Sequence, residues 1–390
     1  MPRHPDRDPT SGLLGGSVFS ALASRISELT GEIYPLHVGD TWMEPGPAMD
    51  WRNLDGAADP RPHRYCDPSG IRPLLHRLVE KVRSANGIPV TGPGDVLVTT
   101  GATGALTATA MATVSPGDEV LLLAPYWPLI RGIVVAAGGV PVEVPLLASE
   151  LDERSCVEAL DAHRTSRTVA LYISTPSNPT GKVLPGELLA AAADFARRNG
   201  LWILSDEVYE DYVYKGSHHS IGSMAPERTA SVFSFSKAYG MAGYRCGYLA
   251  GPSELVTAAR RIATHLWYSV ATPSQLLAVS ALEHGQNWID EARESYRTTG
   301  DEAADRLGVL RPSGAQFLFL DVGPHLDDRG LQGFLEDCLA DNLILAPGTS
   351  FGASYDRWVR LCFTCVPPDV VLRGVDRLAR RLGPVRAKSE

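Results

Sequence analysis

No uninterrupted apolar stretch in the 390 residues approaches the ~20 needed to cross a bilayer as a helix. Positive charge is also scarce. Lys and Arg total 36 against 45 Asp and Glu, a formal net charge of -9, which leaves no broad electrostatic footprint for nucleic acid or an anionic membrane. A local basic pocket for a small anion is still compatible with that balance. Cysteine is sparse. Six residues (Cys66, Cys156, Cys246, Cys338, Cys362, Cys365) are scattered without the density of a secreted disulfide scaffold, so reduced thiols are expected. Cys362 and Cys365 have C-x-x-C spacing, but no second pair completes a zinc site, and no metal is expected. Internal repeats, low-complexity tracts and an obvious flexible linker are lacking too. The first twelve residues, MPRHPDRDPTSG, have no apolar core of a signal peptide, and a cytoplasmic location is expected.

What is present reads as an ordinary globular protein. Apolar content of 44% and charged content of 21% are ordinary, and the length suggests two structural lobes. Short apolar runs alternate with helical segments from about residue 95 to 250: Val96–Thr99, Val120–Leu123, Val169–Ile173, Trp202–Leu204, Val232–Phe235 and Gly247–Ala250. Runs that are apolar throughout suit strands covered on both faces, which predicts an α/β fold with a mainly parallel sheet. Polar clusters follow these runs directly, where ligands of open α/β sheets gather. Beyond about residue 290 come helices with shorter alternating strands, Ala315–Leu320 and Arg357–Phe363, as expected of a second, smaller lobe.

The most informative cluster is Ser234-Phe235-Ser236-Lys237, with Arg245 eight residues beyond the lysine. A lysine amine can bond covalently to an aldehyde carbon, while serine hydroxyls and a guanidinium can hold a phosphate dianion. Taken alone, such a lysine is more often a solvated surface residue. Asp206 ends another apolar run and is followed by Glu207-Val208-Tyr209, a fixed carboxylate able to pair with a ring nitrogen. The loop Ser174–Gly181 contains Asn178-Pro179-Thr180-Gly181 after a strand. Thr99–Leu106 passes from strand to helix through Gly101, Ala102 and Thr103, small residues that let backbone N–H groups approach an anion. Trp127 follows the run ending at Leu123. In Arg357–Phe363, strand alternation separates Arg360 and Cys362 from Val359, Leu361 and Phe363.

Together these motifs resemble those of the class I/II aminotransferases, the fold-type I family typified by aspartate aminotransferase, which uses pyridoxal 5'-phosphate (PLP). The order and the intervals, 28 residues from Asn178 to Asp206 and 31 from Asp206 to Lys237, suit that family, and the resemblance spans about residues 18–380. It implies a large PLP-binding domain with a mainly parallel mixed sheet covered by helices, plus a smaller α/β domain. The expected boundaries are 1–48 (amino-terminal segment packed with the small domain, including a helix near Val18–Thr30), 49–290 (large domain) and 291–390 (small domain). By resemblance, Lys237 forms the Schiff base and shuttles the proton, Asp206 meets the ring nitrogen, and Tyr209 and Asn178 share the phenolic oxygen. Gly101, Ala102, Thr103, Ser234, Ser236 and Arg245 hold the phosphate, and Trp127 stacks on the ring. Arg360 grips the substrate carboxylate, with Asn178 and Gly39 beside it. Tyr65 reaches the cofactor of a neighbouring subunit, implying a homodimer.

The implied activity is transfer of an amino group between an amino acid and a 2-oxo acid. A different reaction on the same cofactor, such as β- or γ-elimination, replacement or cyclisation, uses the same residues and stays open at this stage. A non-catalytic PLP-binding regulator is disfavoured, because the leader before Val18 is too short for a DNA-binding domain. Two decoys fail on context. Gly348-Thr349-Ser350-Phe351-Gly352 matches G-x-S-x-G but leads into a strand, and Gly181-Lys182 lacks the remaining P-loop residues. Trp42, Met43, Trp267 and Tyr268 are expected near the substrate side chain, favouring aromatic or bulky apolar donors.

Overall fold

The computed structural model describes residues 10–14, 23–54, 62–146 and 152–383. Seven strands form the main sheet: β1 (Val96–Thr99), β2 (Glu119–Ala124), β3 (Val140–Pro145), β4 (Thr168–Ser174), β5 (Trp202–Asp206), β6 (Thr229–Ser234) and β7 (Gly247–Ala250). Their order is β1-β7-β6-β5-β4-β2-β3, with only β7 antiparallel to its neighbours.

The apolar runs divide between the two faces as a strand's two-residue period requires. Val120, Leu122, Ala170, Tyr172 and Leu204 join one core with helices Gly101–Thr113 and Ser253–Leu266. Leu121, Leu171, Ile173 and Ile203 join the other with helices Glu153–His163 and Gly186–Asn199. β3 is the strand that the sequence reading missed. It lies at the sheet edge with Val140 42% exposed, so it lacks the continuous apolar run of a strand covered on both faces.

A second, antiparallel sheet is ordered β8-β10-β9, from β8 (Phe317–Asp321), β9 (Ala346–Pro347) and β10 (Trp358–Cys362). The amino-terminal chain joins this lobe. Tyr34 bridges to Leu343, and Glu32 pairs with Arg373 at 2.7 Å. Of the helix expected near Val18–Thr30, Ala23–Ser27 is helical and residues 18–22 lie outside the described residues.

Strand direction decides what meets at the sheet's functional edge. β1, β2, β4, β5 and β6 deliver their carboxyl ends there, whereas the reversed β7 brings its amino end. Gly247 is thus in register with both Thr99 and Ser234. Arg245, two residues earlier, arrives beside Gly101 and the lysine-bearing turn.

Candidate active site

At that edge, between the two lobes, lies a cavity of about 410 Å³. Its wall includes Gly39, Ala102, Thr103, Trp127, Asn178, Asp206, Tyr209, Ser234, Ser236, Lys237, Arg245 and Arg360, drawn from segments more than 300 residues apart in sequence. Gly101 and Tyr65 are the two candidates outside this wall.

Lys237 sits in the short helix Phe235–Ala238 that follows β6. The Ser234 hydroxyl caps this helix by accepting from the Ser236 N–H at 3.1 Å, and the Tyr212 hydroxyl donates to the Lys237 carbonyl at 2.8 Å. These contacts fix the backbone and aim the side chain inward, where Nζ donates to the Gly39 carbonyl at 2.5 Å. Burial lowers the amine's pKa, reinforced by Arg360 and Arg245 and opposed by Asp40. An amine held below its ordinary range is more readily available as the free base, the form that attacks carbonyl carbon.

Gly101 and Arg245 form a close corner. Gly101 adopts φ +69, and a Cβ there would stand 2.7 Å from Arg245 Nη2. A side chain would displace the guanidinium; glycine leaves the first helical N–H groups open towards an anion beside a cation. Arg245 itself has φ 52, and its Nη1 donates to the Ala242 carbonyl at 2.9 Å. Ser234, Ser236 and Thr103 add hydroxyls to this end of the cavity.

Asp206 stands at the end of β5, 4% exposed. Burial raises its pKa to about 6, against hydrogen bonds from the Tyr172 hydroxyl at 2.8 Å and the Val208 N–H at 3.4 Å. Near neutral pH it is mainly ionised and poorly solvated, well suited to a cationic ring N–H. Tyr209 is buried edge-on against Phe317, with ring centroids 5.6 Å apart. Asn178 lies on a loop that depends on Gly181, whose φ is +67 and where a Cβ would come within 2.3 Å of the Phe317 carbonyl.

Arg360 is 7% exposed, far from the solvated edge-strand arginine that an isolated reading of its segment would favour. Nη1 donates to Asn178 Oδ1 at 2.9 Å and Nη2 to the His37 carbonyl at 2.6 Å. The guanidinium lies over the rings of Phe317 and Phe351, 4.3 and 4.9 Å from their centroids. Its buried Nε has no hydrogen-bond partner among the described residues, which leaves donor capacity in a buried guanidinium. Burial and the adjacent Arg360 charge hold the His37 ring down at about 4, so this imidazole is neutral at neutral pH.

Several contacts around the site escaped the sequence reading. Tyr172 carried no motif, because its reach to Asp206 depends on the register between β4 and β5. Glu207, fully buried on the opposite face, accepts from Ser205 at 2.8 Å, Ser220 at 2.5 Å and His218 at 2.9 Å, pinning the Asp206–Tyr209 turn. The expected side-chain pocket needs correction. Trp42, Met43, Trp267 and Tyr268 do not line the cavity, whose apolar wall includes Val38, Leu129, Ala242 and Phe351. Trp267 packs beside Gly104 at the end of its helix, and Tyr268 turns outward against Tyr65. Gly348–Phe351 is a single 3-10 turn, without the strand-to-helix geometry of a nucleophile elbow.

The donor set fits PLP: an amine for its aldehyde, a glycine–arginine corner for its phosphate and a buried carboxylate for its ring nitrogen. The family model for aminotransferase class I and II matches residues 47–378. The aspartate/prephenate aminotransferase of Thermus thermophilus is 37% identical over 333 residues, covering 82% of this chain and 83% of the relative. Aromatic-amino-acid aminotransferase 2 of Thermococcus litoralis is 33% identical over 312 residues, 77% of this chain and 80% of the relative. Among solved structures, Thermus thermophilus aspartate aminotransferase with maleate superposes with a TM-score of 0.89 at 32% identity, covering 97% of this chain and 100% of the other. The chain belongs to the class I and II aminotransferases, PLP-dependent enzymes that exchange amino groups between amino acids and 2-oxo acids.

Proposed function

We propose that this transaminase holds its cofactor through Lys237 and its substrate carboxylate through Arg360, and that its amino donor carries an apolar or aromatic side chain. The convergence of Lys237, Asp206, Asn178, Tyr209, Arg245 and Arg360 on one cavity carries the reading. When bound, PLP supplies an electron sink for the bond pair released at the substrate α-carbon. Ala102, Thr103, Ser234, Ser236 and Arg245 hold its phosphate, with Gly101 keeping that corner open. Asp206 maintains charge at the ring nitrogen, Asn178 and Tyr209 hold the phenolic oxygen, and Trp127 covers one ring face. The Lys237 amine takes the α-proton and returns it to the other side of the reacting bond. Arg360 orients the carboxylate so that this proton faces Lys237, and Gly39 closes over the substrate. The division into residues 1–48, 49–290 and 291–390 accounts for a cleft in which one lobe carries the cofactor groups and the other Arg360.

The donor preference rests on the apolar wall of Val38, Leu129, Ala242 and Phe351. Among the described residues, the cationic side chains of the cavity are Lys237, Arg245 and Arg360, each with a role already. A second substrate carboxylate would lose water without gaining a cation, a cost of several kcal/mol. In a panel of amino donors, phenylalanine, tyrosine and leucine should exceed aspartate and glutamate in kcat/KM by roughly a hundredfold, with pyridoxamine phosphate and the 2-oxo acid forming together. Preference for a dicarboxylate would remove the side-chain assignment. Release of ammonia without the pyridoxamine form would count against the whole mechanism.

Tyr65 is 88% exposed and meets Tyr268 edge-on at 5.0 Å. Its position outside its own cavity supports a homodimer in which each Tyr65 serves the neighbouring subunit's phosphate site. Mixing Tyr65→Ala with Lys237→Ala protein should create hybrid dimers with one site free of both changes, restoring activity that neither variant has alone. Absence of restoration despite confirmed hybrid formation would refute the shared site.

A further inference from the structure

Asp206 carries a burden that its own burial makes worse. A carboxylate removed from water reverts towards the neutral acid unless something donates to it. Glu207 next in the chain adds repulsion, and the opposing attraction of Lys237 is smaller. The Tyr172 hydroxyl reaches Asp206 Oδ2 at 2.8 Å from the adjacent strand, and both groups are buried, Tyr172 completely. Among the described residues, no other side chain donates a hydrogen bond to this carboxylate; the Val208 N–H, at 3.4 Å, is a weak second donor.

The strand geometry explains the pairing. β4 and β5 are parallel, with Tyr172 opposite Leu204 and Ser174 opposite Asp206, so Tyr172 begins two residues behind its partner. A tyrosine is long enough to lie along the sheet face and bring its oxygen level with the strand end. Leu204 and Asp206 share that face, and Tyr172 belongs to the same apolar core as Leu204, Ala230 and Val232. The phenol is itself harder to ionise than usual, because of burial and the neighbouring carboxylate. It therefore stays a neutral donor throughout the working pH range.

We propose that Tyr172 is a positioning residue for the cofactor: its hydroxyl fixes the Asp206 carboxylate in place and keeps it ionised for the ring nitrogen. This rests on the assignment of Asp206 to that nitrogen. Tyr172 touches neither cofactor nor substrate; it acts through Asp206. Removing a hydrogen bond to a buried charge is expected to weaken whatever depends on that charge about tenfold. The other groups facing the carboxylate, Glu207, Lys237 and the more distant Tyr209, are unchanged by such a substitution.

The test compares Tyr172→Phe with the parent, titrating PLP into protein stripped of cofactor and following its binding by fluorescence between pH 5 and 9. The sign follows from the ionisation. Loss of the donor raises the Asp206 pKa, so the acid limb of cofactor affinity moves to higher pH, and at neutral pH the dissociation constant rises roughly tenfold. A merely structural tyrosine would lower the unfolding midpoint without moving that limb. Installing 3-fluorotyrosine at 172, a stronger donor of nearly the same size, should move it the other way, and this variant decides the matter if Tyr172→Phe does not fold. An unmoved limb with unchanged affinity in a folded variant would overturn the role of Tyr172. Asp206→Asn separates the two levels. If it leaves cofactor affinity intact, the assignment of Asp206 itself is wrong; if it weakens affinity while Tyr172→Phe does not, only the inference about Tyr172 fails.

Discussion

Lys237→Ala should yield a protein that folds, binds PLP weakly and without a covalent bond, and transfers amino groups roughly 10⁴-fold more slowly. Two losses combine. The amine that anchors the cofactor is gone, and so is the base placed to carry a proton across the reacting bond, a function worth about 10²–10⁴-fold by itself. Folding should survive, because the backbone of this turn is held by the Ser234 cap and the Tyr212 hydroxyl, and among the described residues the Lys237 amine hydrogen-bonds one carbonyl, that of Gly39. Borohydride reduction followed by peptide mapping provides the direct reading. In the parent the reduced adduct should map to the peptide containing Lys237, and in the variant it should disappear. An adduct retained at another lysine would overturn the assignment.

Arg360→Ala should reduce kcat/KM for the amino acid by about 10²–10³-fold. On the proposed assignment the substrate carboxylate then loses a buried, forked partner, an effect of about 2–5 kcal/mol when one member of such a pair is truncated, at about 1.4 kcal/mol per factor of ten. Arg360→Lys keeps the charge but not the fork, and should recover only a small part of the loss. In cofactor-saturated enzyme, the deficit should be larger for amino acids than for the corresponding amines that lack the carboxylate. A deficit of equal size for both would show that Arg360 supports the cavity without binding that group. Because Nη1 also steadies Asn178, a modest weakening of PLP binding should accompany the change.

Much of this site was legible in the sequence, for identifiable reasons. Lys237, Asp206 and Asn178 lie within or directly after short strands, where local residue order fixes the geometry. The lobed α/β architecture followed from apolar runs long enough for strands covered on both faces. Contacts set by register were hidden: Tyr172 finds Asp206 across two strands, and Arg360 finds the His37 carbonyl across 323 positions. The misplacement of Trp42, Met43, Trp267 and Tyr268 has the same origin. Their bulk suggested a pocket lining, but their direction is set by distant packing, such as Trp267 against the small Gly104. β3 escaped because it is largely open to solvent and its apolar residues are interrupted by Pro141, Glu143 and Pro145, whereas β1, at the other edge, is buried along its length.

The Lys237 amine and the Gly39 carbonyl stand 198 positions apart in sequence and meet across the cavity. One hydrogen bond thus joins the amino-terminal chain to the turn after β6, and a covalent bond formed at that nitrogen has to displace it. The peptide oxygen is then left to find another donor, a cost set against the gain of the new bond.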